Sequence, residues 1–513
     1  MTKKLVLDTE VVVIGNGPAG LSFSTFLSGW QPFYNSNRPH PDPVVHQHLA
    51  QSPNTSLLEQ DLSWFQDECA ERLNPSTGAY AGLYDTLVRP PLDETKTCLR
   101  WKRDSKKTIP HIILGDSEIG GSWNNYDDDM VTVSLASWMD LPGYSLSQWL
   151  GGESALSRLP AAIIRKYMKD YAKHMQIDAN FKPFTKVTNV MKWCDHCTGE
   201  EYWAVEFIDK KTDCTFTLKC RNVVLACGQS HHRMLEVVPG ELSESNVVYD
   251  VSSMKQLLDS SGQTGVLDKE QTQLPVLVIG DGISAADAVL WCLSNSVPVI
   301  QIIRRSDKQL RNIMISRLSP TVYPEYAKMY RLMMRKDSNT NYQCLTSTQV
   351  ISFDNETDIV SLQTSQGVIQ EKFKCVVVCV GRQANLDMLE DKFEFLANYQ
   401  SSSDKTLFAI GSLAGDHFVR YLIGGAMHVA QNLILSHNKR REIYNEENKT
   451  PLISSQSAPS RTFNQSRCKS CFLLKYIIDD NQRQDKQKSQ EPYNVICYYD
   501  CYHRTQQSTM IAE

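Results

Sequence analysis

The chain has 513 residues, 41% of them hydrophobic and 9% aromatic, with a formal net charge of −5. That size and composition allow a large core shared among two or three domains, and a mildly acidic chain with no basic run interleaved with aromatics excludes nucleic acid as a partner. No stretch approaches the run of about 18 apolar residues that a membrane helix needs, and Met-Thr-Lys-Lys leads straight into the first strand, leaving no room for a signal peptide. A cytoplasmic protein without a membrane span is expected, its 15 cysteines reduced.

The opening run is Glu10-Val-Val-Val-Ile-Gly15-Asn-Gly17-Pro18-Ala19-Gly20. Consecutive β-branched and aliphatic residues suit a strand buried on both faces. Gly15, Gly17 and Gly20 have the G-x-G-x-x-G spacing, in which one glycine makes the tight turn, one lets backbone approach a pyrophosphate and one packs helix on strand. The helix beginning there aims its free N–H groups and positive dipole end at the pyrophosphate. Such turns also join strand to helix with no ligand, so the motif needs company.

Residues 31–34 are short and run into the proline-rich 37–43, which argues against the second strand of a doubly wound sheet. Residues 109–114 suit that strand better, making 31–108 an insertion with helical patches at 57–65 and 80–87. Just beyond, Gly120-Gly121-Ser-Trp123 is a second and rarer place where backbone can approach a cofactor. The acid that bonds the adenosine ribose belongs at the end of this strand, where Leu114-Gly115 stands. Either the loop bends to present Asp116 or Glu118, or backbone replaces the carboxylate and Asp116 is a loop acid in water.

Residues 156–175 carry apolar positions at helical spacing, and 203–207 and 215–218 alternate as an antiparallel meander. The meander ends in Asn222-Val-Val-Leu-Ala-Cys227-Gly228, a buried strand whose terminal glycine can pack near the same cofactor. The opening theme then recurs as Gly280-Asp-Gly282-Ile-Ser284-Ala285, followed by a helix to about residue 293 and a strand at 297–303. That strand ends in Arg304-Arg305, where an NAD site would offer an acid. Guanidinium there suits the 2′-phosphate of NADP through bidentate charge-assisted bonds; the plain alternative is two surface arginines. Residues 373–381 repeat the strand ending on glycine, at Gly381. Residues 407–411, then Asp416, then a helix with Gly424 and Gly425 at its start, form an arrangement that binds ribityl oxygens and the flavin end of FAD. Beyond about 438 the composition turns polar and disorder is expected, apart from one apolar piece at 471–478.

Two nucleotide-binding units with sheet returns after each predict an α/β flavoprotein. It comprises two doubly wound, Rossmann-like dinucleotide-binding domains with antiparallel β meanders, the second inserted in the first: 1–240 and 366–438 for FAD, 241–365 for NADPH, and 439–513 as a polar tail. On Gly15-x-Gly17-x-x-Gly20, Gly120-Gly121-x-Trp123, Ala226-Cys-Gly228, Gly280-x-Gly282-x-Ser284-Ala285-x-Asp287 and Asp416, the chain resembles the flavin-containing monooxygenase superfamily. The insertion and the run Ser134-Leu-Ala-Ser-Trp138-Met-Asp-Leu-Pro142-Gly143 look like the oxidative-stress-induced growth inhibitor family, over roughly 8–436. The resemblance implies FAD, NADPH and O2, and a small-molecule or protein side-chain substrate. It also implies oxygen transfer through a flavin C4a-hydroperoxide and a role in growth regulation, cell division or germ-cell maturation, with cytoplasmic or midbody placement.

That chemistry asks for no general acid, base or nucleophile, so the only candidate catalytic side chain is Ser134, standing where the superfamily has an asparagine near the flavin. The superfamily's F-x-G-x-x-x-H before the second unit is also absent. These departures bear on oxygen activation rather than cofactor binding, and keep open a non-catalytic or weakly NADPH-oxidising flavoprotein that regulates growth through protein partners. A disulfide reductase would carry a cysteine pair soon after the first helix, whereas the first cysteine here is Cys69. Cys194-Asp-His-Cys197 and Cys468-Lys-Ser-Cys471 have zinc-ligand spacing but read as unrelated reduced thiols, and no metal is expected.

Overall fold

A computed structural model of the chain describes residues 5–69, 78–91, 96–152, 157–235, 238, 246–263, 274–354 and 357–447. It divides into two units, the first holding the described residues up to His437. The architecture below is that of the first unit; the expected apolar piece at 471–478 and the pair Cys468 and Cys471 lie outside the described residues.

Thr9–Ile14 is the central strand of a seven-stranded sheet. His111–Gly115 runs parallel on one side and the end of Cys214–Leu225 on the other, with Phe181–Pro183 and Leu407–Ala409 outside them. Val11, Val12 and Val13 are fully buried, each contributing about 1.5–3 kcal/mol of apolar transfer, as the unbroken aliphatic run demands. The helix Pro18–Leu27 covers one face. Ala161–His174 packs beside it, and the buried Tyr171 hydroxyl meets Thr25 Oγ1 at 2.8 Å; this helix begins after Pro160, later than the expected 156.

The second sheet is wholly parallel, in the order Val247–Val248, Cys375–Val378, Val276–Ile279, Val299–Ile302, Tyr342–Leu345. The helix Ile283–Ser294 follows its glycine turn. A three-stranded antiparallel sheet, Gln349–Asp354, Ile359–Thr364 and Gly367–Lys372, packs against it. Since Gly367–Lys372 and the interior strand Cys375–Val378 both belong here, the second domain's strands continue past the expected boundary at 366. The chain crosses between the domains twice, and the crossings pair as a short ribbon, His232 with Arg382 and His231 with Gln383. The domains also meet where Arg158 ion-pairs with Glu325 and lies over the rings of Tyr323 and Tyr326. There the Tyr323 hydroxyl donates to the Val133 carbonyl at 2.7 Å.

Several elements differ in detail from expectation. Residues 31–34 stay out of the main sheet, where His111–Gly115 takes the second strand's place as expected, but they do form a strand: Trp30–Tyr34 pairs antiparallel with Leu99–Arg103 in its own two-stranded ribbon, which closes the insertion. A two-stranded ribbon leaves an open edge to accommodate Pro32, which lacks an N–H. The proline-rich segment starts a helix, Pro43–Ala50, because Asp42 accepts from Val44 N at 2.9 Å and Pro43 fits the first helical turn. The helical patch expected at 57–65 is Trp64–Cys69, while 80–87 falls within Ala79–Val88. The meander has a third strand, Thr185–Cys194, and its last strand continues without a break into the buried return at 222–225. Finally, the terminal helix Val419–Glu447 runs beyond residue 438 into the expected disordered tail, and Gly424 and Gly425 lie in its second turn rather than at its start.

Candidate functional site

Four loops converge on the glycine turn after Thr9–Ile14. Gly15 has φ +119°, and a Cβ there would sit 2.3 Å from the Ala226 carbonyl oxygen, so this turn closes directly on the strand that returns at Ala226-Cys-Gly228. Gly121, at φ +59°, could carry no Cβ either: it would come within 2.8 Å of Gly17 Cα. The Gly120 amide donates to the Asn16 carbonyl at 3.0 Å. A Cβ on Gly411 would lie 2.9 Å from the Ala19 Cβ, and one on Gly228 3.1 Å from Ser412 Oγ. Pro18 opens the helix and takes the Ser22 hydroxyl on its carbonyl at 2.8 Å. Trp123, half-buried, packs on the core and meets Tyr126 edge-on.

The strand end that lacks an acid has a steric reason. Asn16 reaches across it, its side-chain amide donating to the carbonyls of Ser117 at 2.7 Å and Glu118 at 3.0 Å. A Cβ at Gly115 would fall 2.0 Å from Asn16 Nδ2. Asn16 therefore ties the glycine turn to the loop carrying Gly120 and Gly121. Sequence reasoning passed over it as a variable position, although glycine in place of the expected acid was the signal. Asp116 is turned to solvent and ion-paired with Lys210 Nζ at 2.6 Å, and Glu118 faces Lys169 at 3.4 Å.

Asp416 is 7% exposed, and its Oδ2 is a buried oxygen with no hydrogen-bond partner among the described residues. Burial pushes its pKa up to about 7, against the opposing hydrogen bond with Tyr399. Gly425 makes room for both: a Cβ there would sit 2.6 Å from Asp416 Oδ2 and 2.7 Å from the Tyr399 ring. A buried acid with one oxygen unmatched suits a ligand hydroxyl. Ser134 is half-buried and its carbonyl takes the Thr132 hydroxyl at 2.7 Å.

The second turn repeats the first. Gly280 has φ +130°, and its Cβ would sit 2.3 Å from the Cys379 carbonyl, just as Gly15 abuts Ala226. Ala285 is fully buried while Ser284 is exposed. Around Gly282 a Cβ would meet nothing within 4 Å. At the end of Val299–Ile302 the two arginines part company. Arg305 holds Asp281, Nη1 to Oδ1 at 2.5 Å, whereas Arg304 is exposed and has no hydrogen bond or ion pair among the described residues. Gly381, at φ +103°, takes Arg233 N on its carbonyl at 3.0 Å and belongs to the interdomain crossing. Asp287 accepts from the Tyr326 hydroxyl at 3.0 Å. A polar cleft of about 570 Å³, lined by Asn124, Tyr126, Asp127, Arg165, Asp250 and Ser253, lies between the Gly120 loop and the helix Val251–Gln263.

Asp416 makes a prediction about pH. An unfolded carboxyl releases its proton near pH 4, whereas the folded Asp416 holds it to about pH 7. Between those values the native state binds more protons and loses stability as pH rises. Asp140 and Asp287, both pushed up to about 6 by burial, act in the same direction. His111 and His428, lowered to about 4 by burial, act oppositely between that value and the ordinary imidazole value of about 6.5. Asp416→Asn isolates the one group. The unfolding midpoint of the flavin-free variant should match wild type near pH 4 and exceed it by a margin that is complete by about pH 7.5. A margin independent of pH would exclude the buried proton.

Residues 149–433 match the pyridine nucleotide-disulphide oxidoreductase family. The sequence argument against a disulfide reductase concerned a cysteine pair soon after the first helix, and that pair is absent; the fold family is nonetheless present. The oxidative stress induced growth inhibitor homolog of Caenorhabditis elegans is 38% identical over 437 residues, covering 83% of this chain and 94% of the relative. Oxidative stress-induced growth inhibitor 1 of Mus musculus is 30% identical over 470 residues, covering 84% and 96%. Among solved structures, the bacillithiol disulfide reductase of Bacillus cereus superposes with a TM-score of 0.54 at 13% identity, covering 83% of this chain and 99% of that one. At that identity the likeness is one of fold.

Proposed function

The chain belongs to the oxidative stress-induced growth inhibitor family and, over 149–433, to the pyridine nucleotide-disulphide oxidoreductases, and we propose that it is an FAD- and NADPH-dependent monooxygenase. The observation that carries this reading is the duplicated turn: in each sheet the first glycine is pressed against the returning strand's carbonyl, and the second caps the covering helix with no atom closer than 3.8 Å to where its Cβ would stand.

In this reading FAD lies on the first unit. Gly15, Gly17, Pro18, Ala19 and Gly20 hold its pyrophosphate, Gly120, Gly121, Trp123 and Gly228 border it, and Asp416 Oδ2 accepts a ribityl hydroxyl. Asn16 fixes the loop in place of an acidic strand end, so adenosine is gripped through backbone. NADPH lies on the second unit, its pyrophosphate at Gly280, Gly282, Ser284 and Ala285 and its 2′-phosphate on Arg304, with Arg305 steadying the loop through Asp281. When bound, the flavin accepts hydride from NADPH and activates O2 for transfer to a soft nucleophile. The protein's own part is to bind, orient and exclude water, and the polar cleft beside Tyr126 and Asp250 is the proposed way in for substrate. The growth-inhibitor names of the relatives support a role in growth control; cell division, germ-cell maturation and a cytoplasmic site remain proposals. No helix among the described residues is long and apolar enough to cross a membrane.

Arg304→Asp should raise the KM for NADPH at least about tenfold, since a charge-assisted phosphate contact becomes a repulsion, while FAD content and the KM for NADH stay unchanged. Equal NADPH kinetics would remove the 2′-phosphate assignment. To test oxygenation, NADPH is consumed in air with a thioether or amine present. Oxygenated product in step with NADPH supports the monooxygenase, and peroxide alone makes the protein an oxidase. A bound flavin that NADPH does not reduce favours the reading in which the flavoprotein acts through partners, which the altered position at Ser134 supports.

A further inference from the structure

The geometry points to a reversible dithiol–disulfide pair, Cys194 with Cys197, at the tip of the antiparallel meander, oxidised by a peroxide. This tip joins Thr185–Cys194 to Glu201–Asp209, and Cys194 with Glu201 is the last pair in register. Asp195 folds it. Its carbonyl accepts the Gly199 amide at 2.7 Å and its amide donates to the Glu200 carbonyl at 2.9 Å. Its carboxylate accepts Cys197 N at 3.0 Å, Thr198 N at 2.9 Å and the Thr198 hydroxyl at 3.0 Å. The result is a closed turn, Asp195 to Gly199, that carries Cys197 three residues beyond Cys194, the last residue of the strand. A disulfide needs Cβ atoms about 3.5–4.5 Å apart, and with both thiols on one exposed hairpin tip only the turn has to adjust to close the bond.

Exposure separates this pair from the other thiols. Cys194 and Cys197 are both exposed; of the remaining described cysteines only Cys214 is. Cys214 pairs with Asp209 at the opposite end of the meander, too far to compete. No group of three or more histidine, cysteine or acidic side chains able to hold a metal occurs among the described residues, so the turn offers two sulfurs and no metal cage. In the reaction each thiol loses its hydrogen and one S–S bond forms. The two electrons and two protons cleave the peroxide O–O bond, giving two waters from hydrogen peroxide. A small dithiol reverses the step by exchange.

The test uses the full chain, treated with hydrogen peroxide, alkylated and digested with trypsin. No lysine or arginine lies between Lys192 and Lys210, so one peptide, 193–210, carries both cysteines. The pair is expected to lose both alkylation sites together and its peptide to lose two hydrogens, with dithiothreitol restoring both sites, while the Cys214 peptide forms no intramolecular bond. Cys194→Ser should abolish the closure and leave the unfolding midpoint unchanged, since it alters an exposed side chain. Full alkylation of both thiols after peroxide, a bond from either to Cys214, Cys468 or Cys471, or zinc retained by the reduced wild-type chain and lost from Cys194→Ser would each overturn the pairing.

Discussion

Gly17→Ala should fold normally and carry no FAD, whereas Gly15→Ala should not fold. The two glycines are neighbours in one motif but serve different needs. Gly15 lies at φ +119°, where a side chain is strained, and its Cβ would press at 2.3 Å on the Ala226 carbonyl and at 2.8 Å on Cys227 N. Both belong to a strand end packed in the sheet and cannot yield, so the cost exceeds about 3 kcal/mol. Gly17 has φ −81° and ψ −167°, a conformation open to any residue, and its Cβ would find nothing nearer than Gly120 O at 3.8 Å. Nothing within the chain requires glycine at 17; a close-lying pyrophosphate does. Gly282→Ala, with φ −85° and no atom within 4 Å of its Cβ, should likewise keep its fold and lose NADPH affinity. Flavin content and unfolding midpoint, measured on all three variants, separate the roles. A Gly17→Ala protein that retains full flavin would remove the ligand from the first turn.

Asp85→Ala should cost about 3–5 kcal/mol of stability and lower flavin retention. Asp85, in the insertion helix Ala79–Val88, bonds Arg89 Nη1 at 2.7 Å and Arg420 Nε at 3.0 Å and 3.2 Å. Arg89 is 4% exposed and its Nη2 has no partner among the described residues, so removing Asp85 leaves a buried guanidinium without its ion-pair partner, only the buried Asp140 remaining as a nearby acid. Arg420 stands in the first turn of Val419–Glu447, four residues after Asp416, which couples the insertion to the proposed flavin site. The same helix accepts the insertion at Gly424, whose Cβ would strike the Tyr80 carbonyl at 2.2 Å, and through Tyr80 stacked on His428 at 3.6 Å. Chemical denaturation of wild type, Asp85→Ala and Asp85→Asn measures the loss. A midpoint for Asp85→Ala within about 0.5 kcal/mol of wild type would mean the insertion is not anchored there.

The parallel cores of both sheets could be read from sequence because strands buried on two faces are written as unbroken aliphatic runs, and the first strand of each ended on a glycine that the backbone requires. What escaped was written by partners distant in sequence. Trp30–Tyr34 looks unfit as a strand until Leu99–Arg103 is set beside it. Cys214–Leu225 changes from an alternating surface strand to a buried parallel one midway, because its neighbour changes from Glu201–Asp209 to Thr9–Ile14. At the candidate site, the glycines that the backbone brings together and the buried Asp416 were accessible from spacing. Asn16, Tyr399 and Asp85 were not, since each acts through a residue about 17 to 335 positions away rather than through a local pattern.

The account stands or falls on flavin carried by the first turn and reduced through the second. The visible absorption of the purified chain, recorded without air before and after NADPH, tests it most directly. It predicts about one bound flavin per chain, bleached by NADPH and far more slowly by NADH. A folded chain that carries no flavin and takes none up from solution would contradict it.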